Sequence, residues 1–345
     1  SAFYTNLYPL LGFTLVYRDG AVETDAYAVF GQASYRLESG LRLTFGGRYS
    51  WEEKAASLIT DANGTIFGGL RAGTLTAGST NWSSFSPKIG LEYFLSDDTM
   101  LYASATNGFK SGGYNTAQDQ RPFDEEKIWS YEAGVKTTLA DGALRFNLSA
   151  YYMDYSDLQV QQRFASGSTF VSLITNAAST DIWGAEGAVE WSPTAEVSIG
   201  ATAAYVHARF DRFLTNLPGD APGAPQTDLS GRRLANAPQF TATLFASYSV
   251  SLGEAGTLSL RGDYRYQSAV YFGPQNRAFE RQDGYGLVNA RISLLSKDEI
   301  WEVALVGENL TDKAYAVDTL SVDGFGIVKT FGRARFFGAT IEARF

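Results

Sequence analysis

The sequence predicts an all-β protein, one that forms a transmembrane, antiparallel, up-and-down barrel wall. Three observations point there. Apolar and polar residues alternate with period two along most of the chain. One of the two faces so defined is free of charge and ends in aromatic residues, as a lipid-facing band does. The connections between the alternating runs are short and long in strict turn.

Composition agrees. The 345 residues include 35 Gly, 20 Tyr and 23 Phe, against 2 Met, 1 His and no Cys. Tyr and Phe favour pleated, half-buried surfaces. The lack of Cys excludes disulfides, thiolate catalysis and Cys-ligated metals. A formal net charge of −9 with dispersed basic residues argues against a nucleic-acid partner. No apolar run approaches the ~18 residues of a spanning helix; Leu7–Tyr17 comes nearest and is interrupted by Pro9 and Gly12. A tilted strand needs only about 9–11 residues, half of them polar. The chain opens at Ser1 with neither signal peptide nor initiating Met, and reads as a fragment or processed product.

The elements follow in order. The first strand is expected over 24–37 and turns at Glu38–Gly40 into the second, 41–52. The third, 82–95, turns at Ser96–Thr99 into the fourth, 100–110. The fifth, 125–139, sets Trp129, Tyr131, Ala133, Val135, Thr137 and Leu139 on one face. Ser130, Glu132, Gly134, Lys136 and Thr138 fall on the other. Ala140–Gly142 carries the Asp-Gly pair of a tight hairpin and leads to the sixth strand, 143–156. There Leu144, Phe146, Leu148, Ala150 and Tyr152 alternate with Arg145, Asn147, Ser149 and Tyr151. The seventh and eighth, 181–191 and 196–210, join at Ser192–Ala195. The ninth and tenth, 238–250 and 256–269, join at Ser251–Ala255. The eleventh and twelfth, 283–295 and 300–310, join at Ser296–Glu299, and the thirteenth is 330–345.

Long Gly-rich and polar connections are expected over 53–81, 111–124, 157–180, 211–237, 270–282 and 311–329. A soluble β-sandwich has no reason to place every long loop at one end. A membrane barrel does, with short turns on the periplasmic side and long loops outside. The uncharged face ends in Tyr49 and Trp51, Trp129 and Tyr131, Trp183 and Trp191, Tyr264 and Tyr266. The opposite face carries charges such as Arg42, Lys88, Glu92, Glu132, Lys136, Arg145, Glu186, Arg261 and Arg291, and must meet water or a polar plug. Thirteen strands entering from the loop side call for at least one more, because single-chain bacterial barrels are even-stranded. Phe13–Tyr17 is one candidate, closing a diffusion porin of about 14 strands. Alternatively residues 1–23 are the tail of an outer loop, and more strands precede it.

Several stretches carry a family likeness: 27–54, "MLYASATNGFKSGGYN" at 100–115, "EKIWSYEAGVKTTL" at 126–139, "NAPQF" at 236–240 and "GENLTDKAY" at 307–315. In this order they resemble landmarks of TonB-dependent outer-membrane receptors. The likeness covers 24–345. It implies a barrel of about 22 strands around an N-terminal plug, with residues 24–345 as the C-terminal part of the barrel. The plug, the TonB box and the remaining strands would then lie outside this chain. It also implies an outer-membrane location and uptake of a scarce bulky solute: a ferric siderophore, a cobalamin-like compound or an oligosaccharide. Implied partners are the bilayer, the energy-coupling protein TonB through the missing N-terminal part, and an extracellular small molecule or glycan. The end strand "GATIEARF", with Ile341 and Phe345 on one face, resembles the signal read by the barrel-assembly machinery.

Candidate ligand contacts are placed on the outer rim: Lys110, Tyr114, Asn115, Arg121, Tyr155, Gln159 and Gln161. Tyr and Gln suit glycan or siderophore contacts. "GFKSGGYN" superficially suggests a phosphate loop, but its first Gly is missing and no helix pattern follows, so it reads as a strand leaving the rim. His207, the lone histidine, reads as a rim residue. No G-x-S-x-G elbow occurs, and "DANGTIFGGLRA" at 61–72 has Ala72 where a calcium loop needs Glu. Asp119, Asp124, Glu125 and Glu126 read as a solvated loop, with a cation or polar-ligand role as the alternative. No enzyme activity, cofactor or metal is expected.

Overall fold

A computed structural model describes residues 18–60, 75–115, 122–166, 169–215, 225–322 and 326–344. Within them thirteen strands pair in chain order as one antiparallel meander. They are β1 (Arg18–Arg36), β2 (Leu41–Thr60), β3 (Leu75–Phe94), β4 (Thr99–Lys110), β5 (Glu126–Leu139), β6 (Leu144–Ser166) and β7 (Thr169–Trp191). There follow β8 (Val197–Thr215), β9 (Phe240–Ser251), β10 (Thr257–Gln267), β11 (Tyr285–Leu295), β12 (Trp301–Glu308) and β13 (Phe336–Ala343). The pair Thr227–Asp228 adds to the outer part of β8. Among the described residues no second large sheet stacks on the meander, and β1 does not pair with β13.

The short turns all lie at one end, and several of them place residues in the left-handed region of the backbone. Ala140, Asp141 and Gly142 have φ of 53°, 52° and 93°. At Gly40 a Cβ would sit 2.9 Å from the carbonyl oxygen of Phe94, so the first turn needs glycine for space as well as for its φ of 84°.

The two faces separate as the alternation requires. Val135 pairs with Leu148, Tyr131 with Tyr152, and Tyr152 with Trp183, all on the uncharged face. That face leaves many large apolar side chains exposed, among them Phe45, Ile89, Leu148, Leu244, Ile292 and Leu305. Rings gather at two levels. Trp183 and Trp191 stand eight residues apart on β7, about 26 Å along the strand, close to the height of an apolar band once tilt is allowed for. Tyr131 meets Tyr152 at 6.4 Å and Trp183 stacks on His207 at 4.8 Å, so His207 belongs to the outer girdle. The other face pairs its charges across strands: Arg42 with Glu92 at 2.9 Å and Arg291 with Glu302 at 2.7 Å.

Four expectations change at the outer ends. The 53–81 connection is mostly strand, since β2 runs to Thr60 and β3 begins at Leu75. The 157–180 connection is likewise strand, with β6 and β7 paired out to Ser166 and Thr169. Alternation persists in "TFVSLIT", and a strand need not stop where the lipid does. β1 also begins farther out, at Arg18, so 18–23 is strand; Phe13–Tyr17 lies outside the described residues. The thirteenth strand starts at Phe336, because Gly332 turns the chain beneath the Tyr315 ring.

Above the girdle a small apolar core forms from Ala178, Phe210, Phe213 and Leu229, flanked by Leu158, Val160 and Leu234. This buried cluster therefore sits on the outer extensions of β7 and β8 and the loop that follows β8, while the wall itself is one residue thick.

Candidate functional site

The outer rim is uneven, and the unevenness builds the site. β3 and β6 rise well beyond β4 and β5, which end at Lys110 and begin at Glu126. The β3–β4 ladder stops at Lys88–Thr106, next to Pro87, which has no N–H to offer. Residues 111–115 and 122–125 occupy this notch, where Gly113–Tyr114 pair with Pro122–Phe123.

Both sides of the notch hold them. On the β2–β3 side, the Lys54 ammonium donates to Ser111 Oγ at 2.8 Å and to the Gly112 carbonyl at 2.7 Å, and pairs with Glu52 at 2.9 Å. Ser111 in turn donates to Glu52 at 2.8 Å. Tyr114 hydrogen-bonds Thr80 at 2.6 Å and meets the buried Trp82 edge-on. Gly112 passes so close to Trp82 and the Phe123 carbonyl that a Cβ would lie 2.4 and 2.2 Å from them. This is why "KSGG" needs its first glycine.

On the β6–β7 side, Asn115 donates to the Ile174 carbonyl at 2.9 Å and accepts from the Ile174 N–H at 2.7 Å. Gln159 donates to the carbonyls of Ser111 and Asp124 at 3.0 and 3.1 Å. Its own N–H reaches Glu126 at 2.9 Å. Asn176 accepts from the Asp124 N–H at 2.7 Å and donates to the Asp157 carbonyl at 2.8 Å. Asp157, at φ 56°, marks the bulge that lets β6 continue outward. Lys127 pairs with Glu125 at 2.7 Å, and its hydrogen bond to Glu125 raises the Lys127 ammonium above its usual pKa.

The structure thus sorts the rim candidates. Tyr114, Asn115 and Gln159 already bond other parts of the rim, Gln159 from a strand rather than a loop. Lys110 is exposed on the charged face, and Tyr155 lies half-buried on that same face. Gln161 is exposed farther out on β6. Arg121, Asp119, the 61–72 stretch and Phe345 lie outside the described residues; Ile341 is exposed on the outward face of β13.

No local pattern marks Lys54, Trp82 and Asn176, whose partners, Glu52 beside Lys54 apart, lie some 20 to 60 positions away. Nor does a local pattern mark the joints of the other outer loops. Arg233 takes Asn276 Oδ1 on its N–H at 2.8 Å, while Asn276 donates back to the Arg233 carbonyl at 3.0 Å. Asn236 of "NAPQF" donates its N–H to the Tyr271 carbonyl at 2.9 Å. Asn309 of "GENLTDKAY" is buried and donates to the carbonyls of Lys313 and Arg333 at 2.9 and 3.0 Å. Its Oδ1 accepts from the Lys313 N–H at 2.8 Å. Tyr315 stacks on Tyr285 at 4.5 Å. These motifs tie three loops into a collar.

Comparison with known proteins agrees with this architecture. A family model described as TonB dependent receptor-like, beta-barrel, matches residues 1–310. A ferric-pyoverdine M114 receptor from a Pseudomonas strain is 25% identical over 320 residues, 92% of this chain and 36% of that protein. The pesticin receptor of Yersinia pestis is 24% identical over 176 residues, 50% of this chain and 24% of the receptor. Matches to these curated relatives thus span well under half of their length. The ferric yersiniabactin uptake receptor FyuA from Yersinia pestis superposes with a TM-score of 0.79 at 18% identity, over 96% of this chain and 47% of FyuA. The siderophore receptor PiuA from Acinetobacter baumannii gives 0.72 at 17%, covering 94% of this chain and 43% of PiuA. With a meander of this order, its charges on the inner face and a family match over most of its length, the chain belongs to the TonB-dependent receptor β-barrel family.

Proposed function

We propose that this chain forms part of the barrel wall of an outer-membrane receptor that imports a scarce, bulky solute with energy delivered by TonB, and that the solute is a ferric siderophore. The observation that carries the reading is the charged inner face. Lys88, Glu132, Lys136, Arg145, Glu186 and Glu190 line a wall too wide for side chains alone to fill, which suits a polar plug. The curated relatives named for ferric chelates favour iron over cobalamin or an oligosaccharide. On this reading TonB engages a part of the receptor outside these residues, and the end strand with Ile341 and Phe345 addresses the assembly machinery.

The test is growth and radioiron uptake under iron limitation. Cells deleted for the gene should lose uptake of their ferric siderophore, and loss of TonB should have the same effect. Passage of small hydrophilic solutes independent of TonB would instead indicate a diffusion porin.

A further inference from the structure

The lumen wall is unevenly charged. Cross-strand partners share a face, and the ladders set Arg36 with Arg42, Phe30 with Arg48 and Gly46 with Lys88 on the inner one. From Trp51 down to the short turns, the described inward side chains of β1–β4 include these four cations and one carboxylate, Glu92. Lys136 of β5 adjoins them, opposite Met100 of β4. The chain as a whole carries a net charge of −9, so this sector runs against its balance.

Rings, more than carboxylates, back the cations. Arg48 lies 6.0 Å from the Phe30 ring and Lys136 5.3 Å from Tyr102, while Arg36 and Arg42 share the Phe94 ring at 4.5 and 4.9 Å. Among the described residues only Arg42 of the five also forms an ion pair, with Glu92 at 2.9 Å. A ring holds a cation through its quadrupole and leaves the charge in place. Arg36, Arg48, Lys88 and Lys136 are exposed to the lumen in this state. Arg36 and Arg42 stand directly opposite each other, and like charges so placed repel until an anion comes between them.

The same wall holds a hollow of about 370 Å³, lined by Arg42, Lys88, Lys136, Gln32, Ser34 and Ser104. Gly90 adds no side chain to it, and Ser34 is drawn aside by a 2.8 Å hydrogen bond to Thr44. Lysines and hydroxyls around one hollow offer an anion both charge and donors. The cations also form steps along the wall. Arg42 and Arg48 are six residues apart on β2, about 20 Å, and Lys88 enters between them. A wall of one sign concentrates the opposite ion in the lumen.

We propose that this sector is an anion track through the lumen, with Lys88 and Lys136 as its central station and Arg48 and Arg36 above and below. Its cargo is a compact, oxygen-rich polyanion, the iron chelate in transit. A fixed plug carboxylate would neutralise one cation, whereas a stepped series without counter-charge suits an anion passed from one to the next. The inference rests on the iron-uptake reading for the identity of the cargo and adds the wall along which it moves.

The test reads anion binding inside the lumen. Full-length receptor is placed in planar bilayers, urea loosens the plug, and citrate is added to one side as the probe. Citrate should block the current of the unaltered receptor. Lys88→Gln with Lys136→Gln should raise the blocking concentration roughly tenfold, and Lys88→Arg with Lys136→Arg should retain the block. Arg145→Gln, which removes an inward cation on β6, should leave it unchanged. Heat-modifiable gel mobility confirms that each variant is folded, and single Lys→Gln variants replace the double where it is not. A block indifferent to Lys88 and Lys136, or as sensitive to Arg145, overturns the track. Current through the double Lys→Gln receptor before urea is added also overturns it, since the lysines would then anchor a plug carboxylate. An unaltered receptor that conducts without urea overturns the plugged-importer reading instead, and the citrate measurements still judge the track.

Discussion

Asparagine is the rim's working residue, because its amide can pair with a peptide group as another peptide would. Asn115 bonds both the N–H and the carbonyl of Ile174, and Asn276 does the same for Arg233. Asn309 goes further: it is 3% exposed, adopts φ 48° and closes the loop that carries Lys313 and Arg333. Asn309→Ala removes these bonds, strands buried peptide groups and strains the left-handed backbone. It should cost about 2–3 kcal/mol locally. The Lys313 amide should then exchange its hydrogen roughly two orders of magnitude faster, with the β-ladders unaffected. A second residue-scale test concerns the exposed turn after β11. Hydrogen bonds from Ser296 Oγ and then the Ile300 N–H hold the Asp298 carboxyl below its ordinary pKa. A carboxyl depressed by folding stabilises the turn above the unfolded pKa, near 3.9, and that support fades as pH falls through the lower folded value. Ser296→Ala should raise the Asp298 pKa toward the unfolded figure, which carbon-detected NMR titration would register.

At the scale of the strand, one residue of register decides between lipid and lumen. Val135 and Leu148 pair on the outward face, and Lys136 lies on the inward one with its ammonium 5.3 Å from the Tyr102 ring. Val135→Arg or Leu148→Arg should impede insertion by roughly 2–4 kcal/mol near mid-bilayer, whereas Lys136→Ala should be mild. Refolding yields in lipid vesicles would measure both, and equal tolerance would contradict the face assignment. Such strands are legible in sequence because lipid and lumen impose opposite chemistries on alternate residues. The pattern fades where water lies on both sides, and there the reading stopped too early: Thr60, Leu75, Ser166 and Thr169 are strand ends only the ladders reveal. The rim was legible in part for a related reason. "GFKSGGYN" shows its glycines, but that Gly112 must clear Trp82, or that Lys54 waits 58 positions away, depends on contacts no local pattern records.

For the whole molecule the governing fact is direction. Both β1 and β13 run from the long-loop end to the short-turn end, since twelve reversals separate them. Closing the described sheet on itself would join these two in parallel, with an odd strand number. Bacterial single-chain barrels are even-stranded and antiparallel throughout. Neither edge can stay bare in hydrocarbon, where an unpaired N–H or C=O has no partner. The edges of β1 and β13 should therefore each pair with a strand running the opposite way, rather than with each other. The chain has no cysteine, so the point can be tested by introduced pairs. Ala33→Cys with Phe45→Cys, partners across β1 and β2, gives the positive control. Ala33→Cys with Ala339→Cys, both on the outward face near the short-turn end, reports on closure of β1 against β13. In receptor inserted into membranes and treated with oxidant, the control pair should cross-link and the second should not. A fast, stoichiometric disulfide in that second double variant would mean that thirteen strands close alone, and the wide plugged barrel would have to give way to a narrow pore.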